Sequence, residues 1–296
     1  MKAQQLLRSP CALCGENNFD LLYPLNGFKV FRCKQCGLVT TSLPTSRTDL
    51  EKMYGSPYYE ERREYYFENC VTNRTIAEEN SSVQDFRRGL LLIEKYKSGG
   101  TLLDVGCGLG VFLTLAREHG WETCGIDISS YATSYARQSF GLDVHTGGLH
   151  DAQFPHKKFD VITLWDALEH FPDPAEQLRE IHRVLKDDGI IFLNTPNEAG
   201  LLRVLARFIF RLSNGKIDYP VRKLYHQYHI CYFTPQTFVT LLDKTGFELK
   251  YIERKGIPIV KARGRPFERM LVKALSWPEQ LCHREYELLA IAQKKS

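Results

Sequence analysis

Asp104, Gly106, Gly108, Gly110 and Asp127 are the residues of this 296-residue chain whose types and spacing speak most directly of chemistry. Residues 102–110 read LLDVGCGLG, an apolar run that breaks into a G-x-G-x-G turn, and Asp127 follows within CGIDIS. An apolar strand, a glycine turn, a helix and an acid closing the next strand form the layout of a nucleoside-binding α/β unit, with the acid placed for ribose hydroxyls. The spacing is not the G-x-G-x-x-G of dinucleotide sites, and Asp104 stands just before the first glycine. A carboxylate there repels a pyrophosphate and attracts a cationic head. S-adenosylmethionine has a ribose, a sulfonium and an ammonium but no phosphate, so the turn suits it better than NAD.

A second constellation lies near the N-terminus. Cys11-x-x-Cys14 and Cys33-x-x-Cys36 are each followed by glycine, at Gly15 and Gly37. Two such knuckles have the spacing of a tetrahedral zinc site with four thiolates, and the glycines relieve the tight turn around the metal. A redox pair is the rival reading for a single C-x-x-C. Cys70, Cys107, Cys124, Cys231 and Cys282 are scattered and read as buried or incidental thiols.

Both groups need elements to position them. Residues 1–45 read as a ribbon of short strands around the cysteines, and 46–98 as a polar, tyrosine-rich helical connector whose clearest helix is 85–97. From residue 99 to 296 strands and helices alternate: strands over 101–105, 123–127, 143–146, 159–165 and 190–194, helices over 111–119, 131–140 and 175–185, and a turn at 186–189. Two further strands are expected at 247–253 and 287–293. Short loops between alternating elements imply an α/β fold with a doubly wound, Rossmann-like parallel sheet. An insertion at about 197–235 follows the fifth strand. A net charge of +4 and 43% hydrophobic residues are ordinary for a globular protein and do not argue for nucleic acid. No apolar run has signal-peptide or membrane-span length, so the chain reads as cytoplasmic.

DVGCGLG, GIDIS, FDVITLWDALEHFPDP and LKDDGIIFLNTPN together resemble the successive motifs of the class I S-adenosylmethionine-dependent methyltransferases. The likeness is greatest to the branch of ubiquinone-biosynthesis O-methyltransferases and small-molecule methyltransferases. It covers about two thirds of the chain, from residue 99 onward, and implies a seven-stranded sheet whose last strand is antiparallel. It also implies that Gly106, Gly108 and Gly110 approach the amino acid part of the cofactor and that Asp104 receives its ammonium. Asp127 and the neighbouring Ile128 would hold the ribose side. Gly148 and Leu149 would cover the adenine, with the usual acid displaced to Asp151. Trp165 and Asp166 would stand at the mouth where the methyl group is presented.

Transfer to a hydroxyl, amine or acidic carbon needs a base. His170 follows the fourth strand, and His226 and His229 lie in HQYHICYFTP, the segment that in this family returns to the catalytic face. Each is either a base or a structural hydrogen-bonding residue. Asp166, Glu169 and His170, spaced D-x-x-E-H, could share an oxygen-preferring ion such as magnesium; alternatively, Glu169 only organises the turn.

The segment 201–212, LLRVLARFIFRL, is a basic amphipathic helix with Arg203, Arg207 and Arg211 in a stripe. It reads first as a lid with its apolar face on the substrate pocket, and second as a peripheral membrane helix with arginines on lipid phosphates. Tyr54, Tyr58, Tyr59, Tyr65 and Tyr66 either cover the cofactor or form a packing surface. The expected partner is a small-molecule acceptor: a sugar, a lipid-linked intermediate or a metabolite hydroxyl. The rivals are an RNA methyltransferase that uses the ribbon to bind RNA, though the ribbon lacks an arginine-rich stripe, and a non-catalytic protein that binds the cofactor.

Overall fold

The structure, a computed structural model, describes residues 9–42, 47–61, 71–72, 75–76, 80–226, 228–256 and 266–295. The N-terminal part holds β1 (Phe19–Leu25), β2 (Phe28–Cys33) and β3 (Val39–Thr41), an antiparallel meander. The connector contributes α1 (Arg47–Met53), α2 (Ser56–Glu61), a small hairpin of β4 (Val71–Thr72) and β5 (Thr75–Ile76), and α3 (Ser81–Glu94). Helix α3 starts four residues before the expected 85, because the Asn80 side chain accepts from Ser82 and Val83 backbone N–H groups and caps it there.

The alternating pattern folds into β6 (Thr101–Val105), α4 (Val111–Glu118), β7 (Glu122–Asp127), α5 (Ser130–Phe140), β8 (Val144–Thr146), β9 (Phe159–Trp165), α6 (Pro174–Val184) and β10 (Leu185–Pro196). Helix α7 (Leu201–Leu212), α8 (Tyr219–Leu224), β11 (Cys231–Tyr232), α9 (Pro235–Lys244), β12 (Phe247–Lys255), α10 (Pro266–Leu281) and β13 (Glu287–Lys294) follow. The large sheet runs β12-β13-β10-β9-β6-β7-β8. Strand β13 is antiparallel to both β10 and β12, whereas β6 to β10 pair in parallel. This is the seven-stranded sheet with its last strand antiparallel that the motifs implied.

Helices cover both faces, so the central strands carry continuous apolar runs rather than alternation. From Gly189 to Pro196 every residue of β10 is buried. The expected turn at 186–189 lies within this strand: Leu185 pairs with Phe159 and Ile190 with Val161, so the four turn residues bulge out between two paired points. Helices α9 and α10 had no counterpart in the sequence reading.

One contact fixes α3 on the sheet. A Cβ on Gly89 would lie 2.4 Å from Trp165 Cη2 and 2.6 Å from Cζ2. Helix propensity alone favours Gly89→Ala by about 1 kcal/mol. Overpacking against a ring wedged among Phe86, Phe112 and Phe192 costs about 1–3 kcal/mol and has nowhere to relax. Gly89→Ala is therefore expected to lower the urea unfolding midpoint; a raised midpoint would show that propensity prevails.

Candidate active site

Strands β6, β7 and β9 are parallel, so the loops after their C-terminal ends share one edge of the sheet, where open α/β sheets bind ligands. After β6 the chain folds back onto β7: the N–H groups of Gly106 and Cys107 both donate to Ile126 O, at 2.8 and 3.1 Å. Gly106, Gly108 and Gly110 all have positive φ, and a Cβ on Gly110 would meet Leu142 Cδ1 at 2.3 Å. The path of this turn thus requires glycine, and it presents bare backbone at the cleft.

Two buried carboxylates flank the turn. Asp127 accepts from Gly108 N at 2.9 Å and from Ser129 N at 2.8 Å, and Asp104 accepts from the Thr163 hydroxyl at 2.6 Å. Burial pushes Asp104 up to about 7, opposed by the Thr163 hydrogen bond and helped by the charge of Asp127. Burial also raises Asp127, against its bonds from Ser129 and Gly108. Among the described residues no cation is among the causes of either shift. Two desolvated carboxylates with no cation between them among the described residues make a place for a cationic ligand.

Tyr59 on α2 is buried against Leu109 and Ala132 and stacks on Tyr131 at 5.8 Å, so the connector closes over this turn. Tyr65 and Tyr66 lie outside the described residues. Ile128, half-buried, follows Asp127. Leu149 is buried, and Gly148 N donates to Asp151 Oδ2 at 2.7 Å, so the displaced acid closes the turn after β8. Trp165, expected at the mouth, instead packs its indole among Phe86, Phe112 and Phe192, with centroids 4.9, 5.3 and 4.5 Å away.

The histidines gather beside the cleft. His170 ends a short 3-10 turn, Leu168–His170, after β9, and the loop before β11 brings in His226 and His229. Ring centroids are 4.6 Å apart for His170 and His229 and 3.9 Å for His226 and His229. Glu169 is buried beneath them: Oε2 accepts from the Thr195 hydroxyl at 2.9 Å, and Oε1 lies 3.9 Å from His229 Nε2. His170 Nδ1 lies 2.7 Å from both the Tyr228 carbonyl and the Tyr54 hydroxyl, and that hydroxyl also donates to the Tyr228 carbonyl at 3.2 Å. With Nδ1–H donated to that carbonyl, the basic lone pair of His170 falls on Nε2. The link from Glu169 to His229, and the role of Tyr228, are not visible in the sequence, because sixty residues separate the two segments.

The geometry does not support the magnesium site that the D-x-x-E-H spacing left open. Asp166 has φ +46° and accepts from Asn194 Nδ2 at 2.8 Å, which directs it toward β10. Among the described residues, the donors that converge within 4.8 Å here are Glu169, His170 and His229. One carboxylate and two imidazoles are a poor set for an ion that demands oxygen ligands.

The four N-terminal cysteines do converge: all four sulfurs lie within 4.8 Å of one another, with Cys11–Cys36 and Cys14–Cys33 at 3.5 Å. Zn–S bonds of about 2.3 Å give tetrahedral S–S edges of about 3.8 Å, so the donor set fits zinc. The ribbon is not a free module. Strand β11 extends its sheet by pairing with β3, and Cys11, Leu13, Cys33 and Leu38 belong to the same core as β9 and β10.

Helix α7 occupies 201–212 as expected, but inverted. Arg203 is fully buried and Arg207 mostly so; they reach Glu198 at 3.7 and 2.6 Å. The apolar stripe faces out, so α7 is not a lid with its apolar face on the pocket, nor do Arg203 and Arg207 face lipid. Arg32 and Lys34 of the ribbon are likewise engaged, with Glu198 and Asp20.

Residues 77–252 match a protein family described as a methyltransferase domain. The chain is 35% identical over 125 residues to a ubiquinone biosynthesis O-methyltransferase of Pseudomonas paraeruginosa, covering 39% of this chain and 54% of that protein. It is 30% identical over 172 residues to the Haemophilus ducreyi protein of the same name, covering 53% and 68%. The chain thus spans about half the length of the first of these relatives and about two thirds of the second. A solved S-adenosylmethionine-dependent methyltransferase from Archaeoglobus fulgidus shares the fold, with a TM-score of 0.54 and 20% identity over 80% of this chain and 99% of that one.

Asp104 sets a pH dependence for any cationic ligand in the cleft. With its pKa raised to about 7, it is neutral below that pH and charged above it. The affinity for S-adenosylmethionine, measured by calorimetry, should therefore rise as pH passes upward through about 7, and Asp104→Asn should abolish that rise. An identical pH profile in the variant would separate Asp104 from the ligand.

Proposed function

The chain belongs to the methyltransferase-domain family, and from that premise we propose that it transfers the methyl group of S-adenosylmethionine to an oxygen of a small-molecule acceptor. The observation that carries this is the shared sheet edge: a glycine turn between two buried carboxylates stands beside three histidines over a third. When bound, the cofactor supplies an activated methyl group on a cationic sulfur. Asp104 and Asp127 hold its positive and ribose portions, and Tyr59 shields the turn from water.

The acceptor lies against the histidines. His170, oriented through Nδ1 by Tyr228 and Tyr54, and His229, backed by Glu169, take the proton that the acceptor oxygen loses as its new bond to carbon forms. Glu169 stabilises the resulting imidazolium. Orientation of the two reactants supplies most of the remaining acceleration. A small acceptor fits better than RNA, because, of the ribbon cations, Arg32 is drawn to the buried Glu198 and Lys34 pairs with Asp20 at the surface.

Enzyme incubated with methyl-labelled S-adenosylmethionine and a small-metabolite extract should yield a labelled, alkali-stable ether. Tight cofactor binding with no labelled product from any extract would overturn the enzymatic reading, and label in RNA alone would overturn the substrate class. His229→Ala is expected to leave the cofactor Kd unchanged while kcat falls by about 10²–10⁴, read by calorimetry and product formation.

The cysteine cluster holds one zinc ion, in this reading, as a structural centre that supplies no chemistry to the transfer. Metal analysis should find one zinc per chain. Cys33→Ser should lose it and lower the unfolding temperature, since Cys33 packs in the main core. A metal-free protein of undiminished stability would remove zinc from the account.

A further inference from the structure

Helix α7 presents its apolar side to solvent. At 100° per residue, Leu201, Leu205, Phe208, Ile209 and Leu212 form one stripe, and Arg203, Ala206, Arg207 and Phe210 lie opposite. The second group faces the protein: Ala206 is buried, Phe210 meets Tyr23 edge-on at 5.0 Å, and both arginines reach Glu198. Turning the stripe inward would break those ion pairs. Phe208 is left 59% exposed and Leu212 70%, and Ile217 and Tyr219 just beyond are about half exposed.

The rim of this patch is basic. Arg211, Lys216, Arg222 and Lys223 are exposed around it. Arg222 pairs with Asp218 at 3.0 Å, whereas Arg211, Lys216 and Lys223 form no ion pair among the described residues. Large apolar side chains on one helix face, ringed by unpaired cations, match the two components of a bilayer surface: an acyl boundary for the stripe and anionic headgroups for the rim. A protein partner would need an apolar groove bordered by acids; a second copy of this chain would set one cationic rim against another.

We propose that α7 and the segment to Lys223 dock the protein on an anionic lipid surface, with Phe208 and Leu212 in the headgroup–acyl boundary and Arg211, Lys216 and Lys223 on the headgroups. This is the reverse of an amphipathic helix that floats beside its protein, since here two of the helix's arginines anchor it to the fold and only the outer cations meet lipid. The inference stands apart from the methyl-transfer reading.

The test is co-sedimentation of the full chain with vesicles of phosphatidylcholine alone and of phosphatidylcholine mixed with phosphatidylglycerol. Binding is expected only to the anionic vesicles and should weaken with salt. Phe208→Ser combined with Leu212→Ser should abolish it without changing the unfolding temperature. Lys216→Glu and Lys223→Glu should each weaken binding about fivefold or more. Failure to bind anionic vesicles, or equal binding to neutral ones, overturns the proposal. So does a concentration-dependent dimer, seen by light scattering, that the double variant abolishes, because the face would then belong to a second copy.

Discussion

The buried carboxylate of Glu198 ties together three parts of this molecule. It lies just past the end of β10 and receives Arg207 at 2.6 Å, the Tyr225 hydroxyl at 2.8 Å, and Arg203 and Arg32 at 3.7 Å. Those four side chains come from α7, the residue after α8, and β2. Ribbon, insertion and central sheet therefore meet on one charge. A buried carboxylate stripped of a partner typically costs about 3–5 kcal/mol, so none of these elements can swing away freely. The guanidinium of Arg203 is further enclosed by the rings of Tyr225 and Tyr232, 4.8 and 4.7 Å away. Tyr232 in turn lies 5.6 Å from His229, so the clasp borders the histidine cluster.

This explains which parts of the fold were legible in the sequence. The central sheet strands were, because β6, β9 and β10 are apolar runs bounded by turn residues, and burial on both faces demands that composition. The glycine turn was, because its φ values and close approach to Leu142 admit little else. The cysteine pairs were, because two C-x-x-C knuckles have the spacing that a four-thiolate site needs, and their sulfurs converge. Helix α7 was legible in extent but not in orientation. Periodicity reveals that a helix has two faces, and ordinarily the apolar one goes inside. Here Glu198, already buried at the helix entrance, reverses the choice, and nothing in the local pattern reports that a single acid is buried.

The candidate site divides the same way. Asp104, Asp127 and the glycines are local to two adjacent strands, so motif spacing places them. His226 and His229 come from a segment held between the ribbon and the turn after β9: Thr41 N donates to Ile230 O at 3.0 Å, Ile230 N donates to Glu169 O at 2.9 Å, and β11 extends the β1–β3 sheet. Their association with Glu169 is a tertiary fact. Trp165 and Asp166 show the converse: their position at the C-terminal end of β9 suggested a role at the mouth, yet Gly89 lets the indole sink beneath α3, and Asn194 draws the carboxylate toward β10.

The placement of the carboxylates bears on the proposed reaction in one further respect. Methyl transfer from a sulfonium to a hydroxyl conserves positive charge but moves it: the donor begins as the cation, and the proton released from the acceptor carries the charge at the end. In the proposed reaction Asp104 and Asp127 would stand at the first location and Glu169 at the second; all three are buried, where electrostatic interactions are stronger than in water. The pair at the glycine turn favours the charged donor over its neutral product, which promotes product release but by itself binds the ground state. Beyond the orientation of the two reactants, electrostatic acceleration in the proposed reaction would therefore come from the other end, where Glu169 and the histidines meet a charge that exists only as the reaction proceeds.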